Sequence, residues 1–182
     1  MKKITKDNIK SELKLDIRII TLSDRAHSGE YEDRSGPVIK NLIFNYFNSK
    51  EWKFDISLKV IPDNSDRLKK LISDAKNEKA TIIITTGGTG IGPNDITVET
   101  VRPFIDKEIP GIMELIRVKY GQQKPNALLS RGIAGLMDET LVYTLPGSVK
   151  AVNEYMTEIL NTLEHLIYMK LGIDVHACKP EK

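Results

Sequence analysis

Cysteine is nearly absent from this chain. Cys178 is the only one in 182 residues, so no disulfide can form within the chain and no zinc site of several thiolates can be built. Long apolar runs are missing too. No stretch approaches the ~20 apolar residues that a membrane-spanning helix needs. The opening Met1-Lys2-Lys3-Ile4-Thr5-Lys6-Asp7 lacks the apolar core of a signal peptide. A cytoplasmic location with no membrane partner is the expectation. Nor is there an excess of one charge: 27 Lys and Arg face 25 Asp and Glu, for a net charge of +2. That balance argues neither for nor against a polyanion, which needs a concentrated basic face, whereas a small anion needs only a few local charges; no nucleic-acid partner is expected. His27, His165 and His176 have neither metal-ligand spacing nor the company of a Ser-His-Asp or Cys-His order. Repeats and low-complexity blocks are also lacking.

What remains is ordinary globular material, 40% hydrophobic and 29% charged, at a length that suits one domain. The charged residues 1–14 and the closing residues 173–182 read as tails, with one domain over 15–172. Inside it, apolar strands alternate with periodic helices. Residues 16–22 (Asp-Ile-Arg-Ile-Ile-Thr-Leu) read as a buried strand. Ser35-Gly36-Pro37 starts a helix with Ser35 as its cap, and Val38, Ile39, Leu42, Ile43, Tyr46 and Phe47 form its stripe. Residues 54–60 alternate strictly, as a strand with one face to water does. Leu68, Leu71, Ile72 and Ala75 mark the next helix. Residues 81–86 (Thr-Ile-Ile-Ile-Thr-Thr) are a third strand, rich in β-branched residues. Helices are expected over 98–106 and 112–120, and a strand pair over 128–135 and 140–145. A long helix capped by Ser148 should run to about residue 171. This order predicts a three-layer α/β domain with a mostly parallel central sheet and helices on both faces.

In such sheets ligands sit outside the carboxyl ends of the strands. Four of these ends carry unusual sequence: Ser23-Asp24-Arg25, Ile61-Pro62-Asp63, the run from Thr86 to Asp95, and Pro146-Gly147-Ser148. Gly87, Gly88, Gly90 and Gly92 make a loop with little side-chain bulk, whose backbone N–H groups can approach an anion closely. A helix beginning just after it would add a partial positive charge. The loop is not a Walker A motif, since no Lys-Ser/Thr pair follows, and Pro93 breaks the dinucleotide pattern. Asp63 and Asp95 each read as a helix cap or as half of a carboxylate pair holding Mg²⁺. The second reading suits a phosphate loop, because Mg²⁺ takes one or two carboxylates together with phosphate oxygens. Arg25 and Arg131 are each either a surface charge or an anion grip.

Thr85-Thr86-Gly87-Gly88-Thr89-Gly90, followed by Asp95-Ile96-Thr97, resembles the signature of the molybdenum-cofactor biosynthesis family. That family includes Mog-type molybdopterin adenylyltransferases, Moa-type proteins and gephyrin-like domains. The likeness extends to Ser23-Asp24-Arg25, Ile61-Pro62-Asp63, Ile109-Pro110-Gly111, Leu129-Ser130-Arg131 and Leu145-Pro146-Gly147-Ser148, over residues 16–171. The resemblance implies a homotrimer in which AMP passes from Mg-ATP to the terminal phosphate of molybdopterin, and pyrophosphate leaves. It implies Asp63 and Asp95 as catalytic, metal-holding carboxylates. It implies Thr86, Gly87, Gly88, Thr89 and Gly90 as nucleotide and phosphate contacts. Ser23, Asp24, Arg25, Ser130, Arg131, Pro146, Gly147 and Ser148 become pterin contacts. Hand-over of the product to a molybdenum-insertion protein would follow. Val98 stands where the family often has proline, and Leu145 where methionine is common. Two other readings stay open, a pterin-holding scaffold without chemistry and a hydrolase of pyridine-nucleotide pyrophosphates.

Overall fold

The computed structural model describes residues 6–173. Helix α1 (Lys6–Glu12) leads into β1 (Lys14–Leu22). A single turn, α2 (Asp24–His27), and the longer α3 (Ser35–Ser49) carry the chain to β2 (Lys53–Ile61). Then come α4 (Ser65–Asn77), β3 (Ile82–Thr86), α5 (Thr97–Val101), β4 (Lys107–Glu108) and α6 (Pro110–Gly121). The chain ends in β5 (Ala134–Met137), β6 (Thr140–Leu145) and α7 (Val149–Lys170).

The six strands form one sheet in the order β2-β1-β3-β6-β5-β4. The first four are parallel, and β5 and β4 join by antiparallel steps. Alternation along the strands divides their side chains between two cores. Ile17, Ile19, Ile82, Ile84, Leu141 and Tyr143 face α3, α6 and α7. Ile20, Leu22, Ile83 and Val142 face α4 and α5. The fully buried isoleucines each stabilise the fold by roughly 1.5–3 kcal/mol relative to exposure. Burial on both faces explains why residues 82–86 read as a continuous apolar run rather than an alternating one. The expected three-layer α/β architecture is what the chain adopts.

The register decides where the ends lie. Leu22 pairs with Ile61, Thr21 with Thr86, and Thr86 with Leu145. The carboxyl ends of β2, β1, β3 and β6 are therefore level to within about one residue, which sits within the ~3.3 Å rise of a strand.

Local details depart from the sequence reading. Residues 1–14 are not simply a tail. Helix α1 forms, and Ile9 and Leu13 pack against the larger core. Lys10 Nζ sits 3.2 Å from a Glu164 carboxylate oxygen and donates to the Lys50 carbonyl at 3.1 Å, tying α1 to α7 and α3. Of the closing residues 173–182, Ile173 packs on the same core, and the others, Cys178 among them, lie outside the described residues. The strand expected over 128–135 is confined to β5. Pro125 opens a 3-10 turn, Pro125–Leu129, and Leu128 packs over the bare Cα of Gly121. The helix expected over 98–106 is five α-helical residues, followed by a 3-10 turn over Arg102–Phe104 that contains Pro103, which has no N–H to donate. Ser35 does not cap α3. The carboxylate of Asp33 does, accepting from the N–H of Ser35 at 3.0 Å and of Gly36 at 3.1 Å.

One buried charge joins α6 to α7. Glu158 accepts from Lys119 Nζ at 2.8 Å and from the Tyr120 hydroxyl at 2.9 Å. The Lys119 hydrogen bond holds its carboxyl below the usual carboxylate range, and the Tyr120 hydroxyl is pushed up to about 12 by burial and by Glu158. A folded-state pKa that is depressed stabilises above the unfolded value and is lost as pH falls through the folded one. Glu158→Gln should therefore lower the melting temperature at pH 7. The gap to wild type should close as pH drops below about 4.3, the ordinary Glu value. Thermal melts of both proteins from pH 7 to pH 3 check this.

Candidate functional site

Gly87 leaves the end of β3 at φ +100°, and Gly88 follows at φ +62°. Both are conformations that side chains resist. A Cβ on Gly87 would lie 2.3 Å from the Leu22 carbonyl oxygen at the end of β1, so only glycine fits between the strand ends. Gly87 N–H donates to Leu145 O at 3.0 Å, and the Thr86 hydroxyl donates to Pro146 O at 2.9 Å. The loop is thus stitched to β6 and to the turn before α7.

Its carbonyls are all turned one way. Gly87 O accepts from the Thr97 hydroxyl at 2.8 Å, and Gly88 O from Thr97 N–H at 3.0 Å. Thr89 O accepts from Arg131 N–H at 3.1 Å, and Gly90 O from Arg131 Nε at 2.7 Å. The N–H groups of residues 88–91 find no acceptor among the described residues. A peptide unit points its N–H opposite its C=O, so these amides point away from Thr97 and Arg131, and of the four residues Gly88 lines the acidic cleft described below. Helix α5 has only five residues and adds no dipole of consequence. The anion site expected from the sequence rests on the amides alone.

Asp95 closes the loop. Its Oδ2 accepts from Gly92 N–H at 2.8 Å, and a Cβ on Gly90 would meet that same oxygen at 2.7 Å. Asp95 does not cap α5, nor Asp63 α4. Asn64 caps α4, accepting from Arg67 N–H at 2.9 Å. Asp63 instead faces Asp24: Asp63 Oδ2 accepts from Asp24 N–H at 3.1 Å, and Asp24 Oδ1 from Asp63 N–H at 3.0 Å. Among the described residues, one oxygen of each of the three carboxylates has no hydrogen-bond donor. They line a cleft of about 400 Å³ with Ser23, Arg25, Gly88 and Asn94. Burial pushes the Asp63 carboxyl above its ordinary range; the charges of Asp24 and Asp95 push the same way, and the Asp24 N–H pulls it back. Among the described residues, none forms an ion pair with these three carboxylates. Arg25 stacks on the Tyr31 ring at 5.3 Å instead. An acidic cleft beside free amides fits a hydrated Mg²⁺ shared with phosphate oxygens. Among the described residues, no group of three or more His, Cys, Asp and Glu could hold a metal by itself.

The remaining expected residues go elsewhere. Ser130, Pro146 and Ser148 line a second cavity of about 210 Å³, at the start of α7. Ser148 caps that helix, accepting from Ala151 N–H at 3.2 Å. The Ser130 and Tyr155 hydroxyls are buried here near one another, with no other hydrogen-bond partner among the described residues. Burial raises the Tyr155 hydroxyl's pKa, keeping it a donor. Gly147 lies between the two clefts; a Cβ on it would meet Gly87 Cα at 3.3 Å. Arg131 is in neither cleft as a free cation, since its guanidinium is spent on the loop and on Glu99. Reading the sequence missed Lys124, Asn126, Lys150 and Tyr155, which also line the second cavity. Only the position of Lys150 in the first turn after Ser148 hinted at them.

Residues 18–165 match the model of a family described as a probable molybdopterin binding domain. This chain belongs to that family. A molybdopterin adenylyltransferase of Helicobacter pylori is 33% identical over 158 residues, covering 86% of this chain and 88% of the relative. Gephyrin of Dictyostelium discoideum is 36% identical over 168 residues, which is 89% of this chain and 23% of that protein. The chain thus spans about a quarter of the gephyrin relative and nearly all of the bacterial one. Among solved structures, a molybdopterin biosynthesis enzyme MoaB from a Thermus species superposes with a TM-score of 0.76 at 33% identity, covering 92% of this chain and 99% of that one. Family membership thus agrees with the resemblance read from the motifs.

The charge on Asp24 is one cause of the raised Asp63 pKa. Asp24→Asn keeps an oxygen for the Asp63 N–H and removes the charge. The Asp63 titration should move to lower pH in this variant, as read by carboxyl carbon NMR against wild type.

Proposed function

We propose that this protein acts in molybdenum cofactor biosynthesis as a molybdopterin adenylyltransferase. The observation that carries this reading is the Gly88 amide, the first of four without an acceptor among the described residues, set beside the Asp24, Asp63 and Asp95 carboxylates in one cleft. Amides alone would suit any small anion. Carboxylates beside them repel a triphosphate unless a divalent cation stands between. A site with both halves fits Mg-ATP better than a free anion. The name of the Helicobacter pylori relative, which matches along nearly its whole length, supports the same reaction.

In this reading the triphosphate lies along Thr86–Gly90 and the pterin occupies the cavity lined by Ser130, Ser148 and Tyr155. Its terminal phosphate reaches the α-phosphorus past Gly147. An oxygen of that phosphate forms the new bond to the α-phosphorus, the bond to the β-phosphate oxygen breaks, and pyrophosphate leaves. A phosphate monoester, with a second pKa of about 6, is already an anionic nucleophile at pH 7. No histidine base is required, and among the described residues none lines either cleft. Bound Mg²⁺ would supply charge neutralisation on the leaving pyrophosphate. The protein's part is to orient both phosphates and hold the carboxylates in place. The exposed Leu115 and Val118 on α6, with Leu128 and Leu129 on the turn packed against it, form an apolar patch that a homotrimer would bury. No helix of the described residues is long and apolar enough to cross a membrane, in keeping with a cytoplasmic enzyme. Hand-over to a molybdenum-insertion protein completes the reading.

Asp95→Asn keeps the oxygen that accepts from Gly92, so it should fold with an unchanged melting temperature. Its turnover, measured as pyrophosphate released from Mg-ATP and molybdopterin, should fall by roughly 10²–10³-fold, the usual loss when a transition-state charge stabiliser is removed. Wild-type turnover in this variant would sink the metal role. Pterin binding by the wild-type protein with no pyrophosphate release would replace the enzyme by a scaffold.

A further inference from the structure

Arg131 gathers one side of the glycine loop. Its backbone N–H takes Thr89 O at 3.1 Å, its Nε takes Gly90 O at 2.7 Å, and its Nη2 reaches Asp95 O at 3.3 Å. The other edge of the guanidinium meets both carboxylate oxygens of Glu99, with Nη2 at 3.3 Å from Oε2 and Nη1 hydrogen-bonded to Oε1. Four of the five guanidinium N–H groups, and both edges that could hold a phosphate at two points, are thereby occupied.

We infer that Arg131, oriented by Glu99, is a positioning residue of the nucleotide site rather than a ligand contact. By capturing the carbonyls of Thr89 and Gly90 it fixes the peptide units that carry the Gly90 and Ile91 amides, as Thr97 fixes those of Gly88 and Thr89. By holding Asp95 O it fixes the distance between the loop and the metal-holding carboxylate. Glu99 touches no part of the acidic cleft; its task is to fix the plane of the guanidinium, which an exposed arginine would otherwise lose to rotamer entropy. The inference rests on the proposed nucleotide site for its effect on binding, and on the fold alone for its effect on the loop.

The two residues pull the same way in this arrangement, and opposite ways if Arg131 were a phosphate grip. A grip would be freed by Glu99→Gln, and Mg-ATP would bind more tightly. A brace is loosened by it. Calorimetric titration of Mg-ATP into wild type, Arg131→Gln, Glu99→Gln and the double variant separates the cases. Affinity should fall about tenfold in Arg131→Gln and about threefold in Glu99→Gln, with the double variant no worse than Arg131→Gln, as coupled residues behave. Arg131→Lys, which can keep one carbonyl contact but not the fork, should fall between wild type and Arg131→Gln. In turnover the loss should appear in the KM for ATP and leave the KM for the pterin unmoved. Amide exchange by NMR in the free proteins reads the loop directly. The Gly92 and Thr97 amides, hydrogen-bonded across the loop, should exchange faster in Arg131→Gln and Glu99→Gln at equal melting temperature. Tighter Mg-ATP binding in Glu99→Gln, or unchanged exchange in Arg131→Gln, would overturn the inference. Absence of Mg-ATP binding by wild type would instead overturn the nucleotide reading, and the exchange data alone would then decide the brace.

Discussion

The ends of β1, β3 and β6 converge on Gly87 so closely that no side chain can stand there. Its missing Cβ would lie 2.3 Å from a backbone oxygen of β1, and its own Cα is 3.3 Å from where a Cβ on Gly147 would be. Everything at this edge of the sheet follows from that crowding. Because the chain turns at φ +100° and then +62°, its carbonyls swing toward Thr97 and Arg131. The amides of the next four residues are left without an acceptor among the described residues. The same turn brings Asp95 back beneath the loop and within electrostatic reach of Asp63.

Parallel pairing supplies the rest of the geometry. Level strand ends place Asp24 against Asp63, each carboxylate accepting the other's backbone N–H. Two like charges held this close, with a third at Asp95, raise the cost of ionising Asp63. In the proposed Mg-ATP site a divalent cation would relieve that cost. Function and fold therefore meet in one constraint: the strands must run parallel and in register, or the amides and carboxylates would face different sides of the molecule.

Much of the site was legible before any coordinates. Alternation of strand and helix implied the parallel sheet, and the rule for strand ends picked out Asp63, Asp95 and the glycines. The readings that went astray share a cause. Ser35, Asp63 and Asp95 were weighed as caps because their residue types favour that role, but Asp33, Asn64 and tertiary partners took the work. Residues 1–14 read as tail because a helix of seven residues is too short to announce itself. It holds by packing Ile9 and Leu13 on the core and by the Lys10–Glu164 contact. Tyr155 carried no signal of its own within the long last helix. Its hydroxyl matters only because residues 125–130 fold over it and leave a cavity.

By itself the sequence determined the fold class, the glycine loop and the carboxylates. Hydrophobic period, β-branched content and glycine spacing are local properties that one chain segment carries alone. Only the tertiary structure decided what each polar group is committed to. It divided the expected ligand contacts between two clefts on either side of Gly147. It also committed the Arg131 guanidinium to hydrogen bonds with the glycine loop and Glu99. The reason is physical: a charged side chain near several acceptors goes to those that the fold brings within hydrogen-bonding distance. That distance depends on a register shared by four strands, which no one segment encodes.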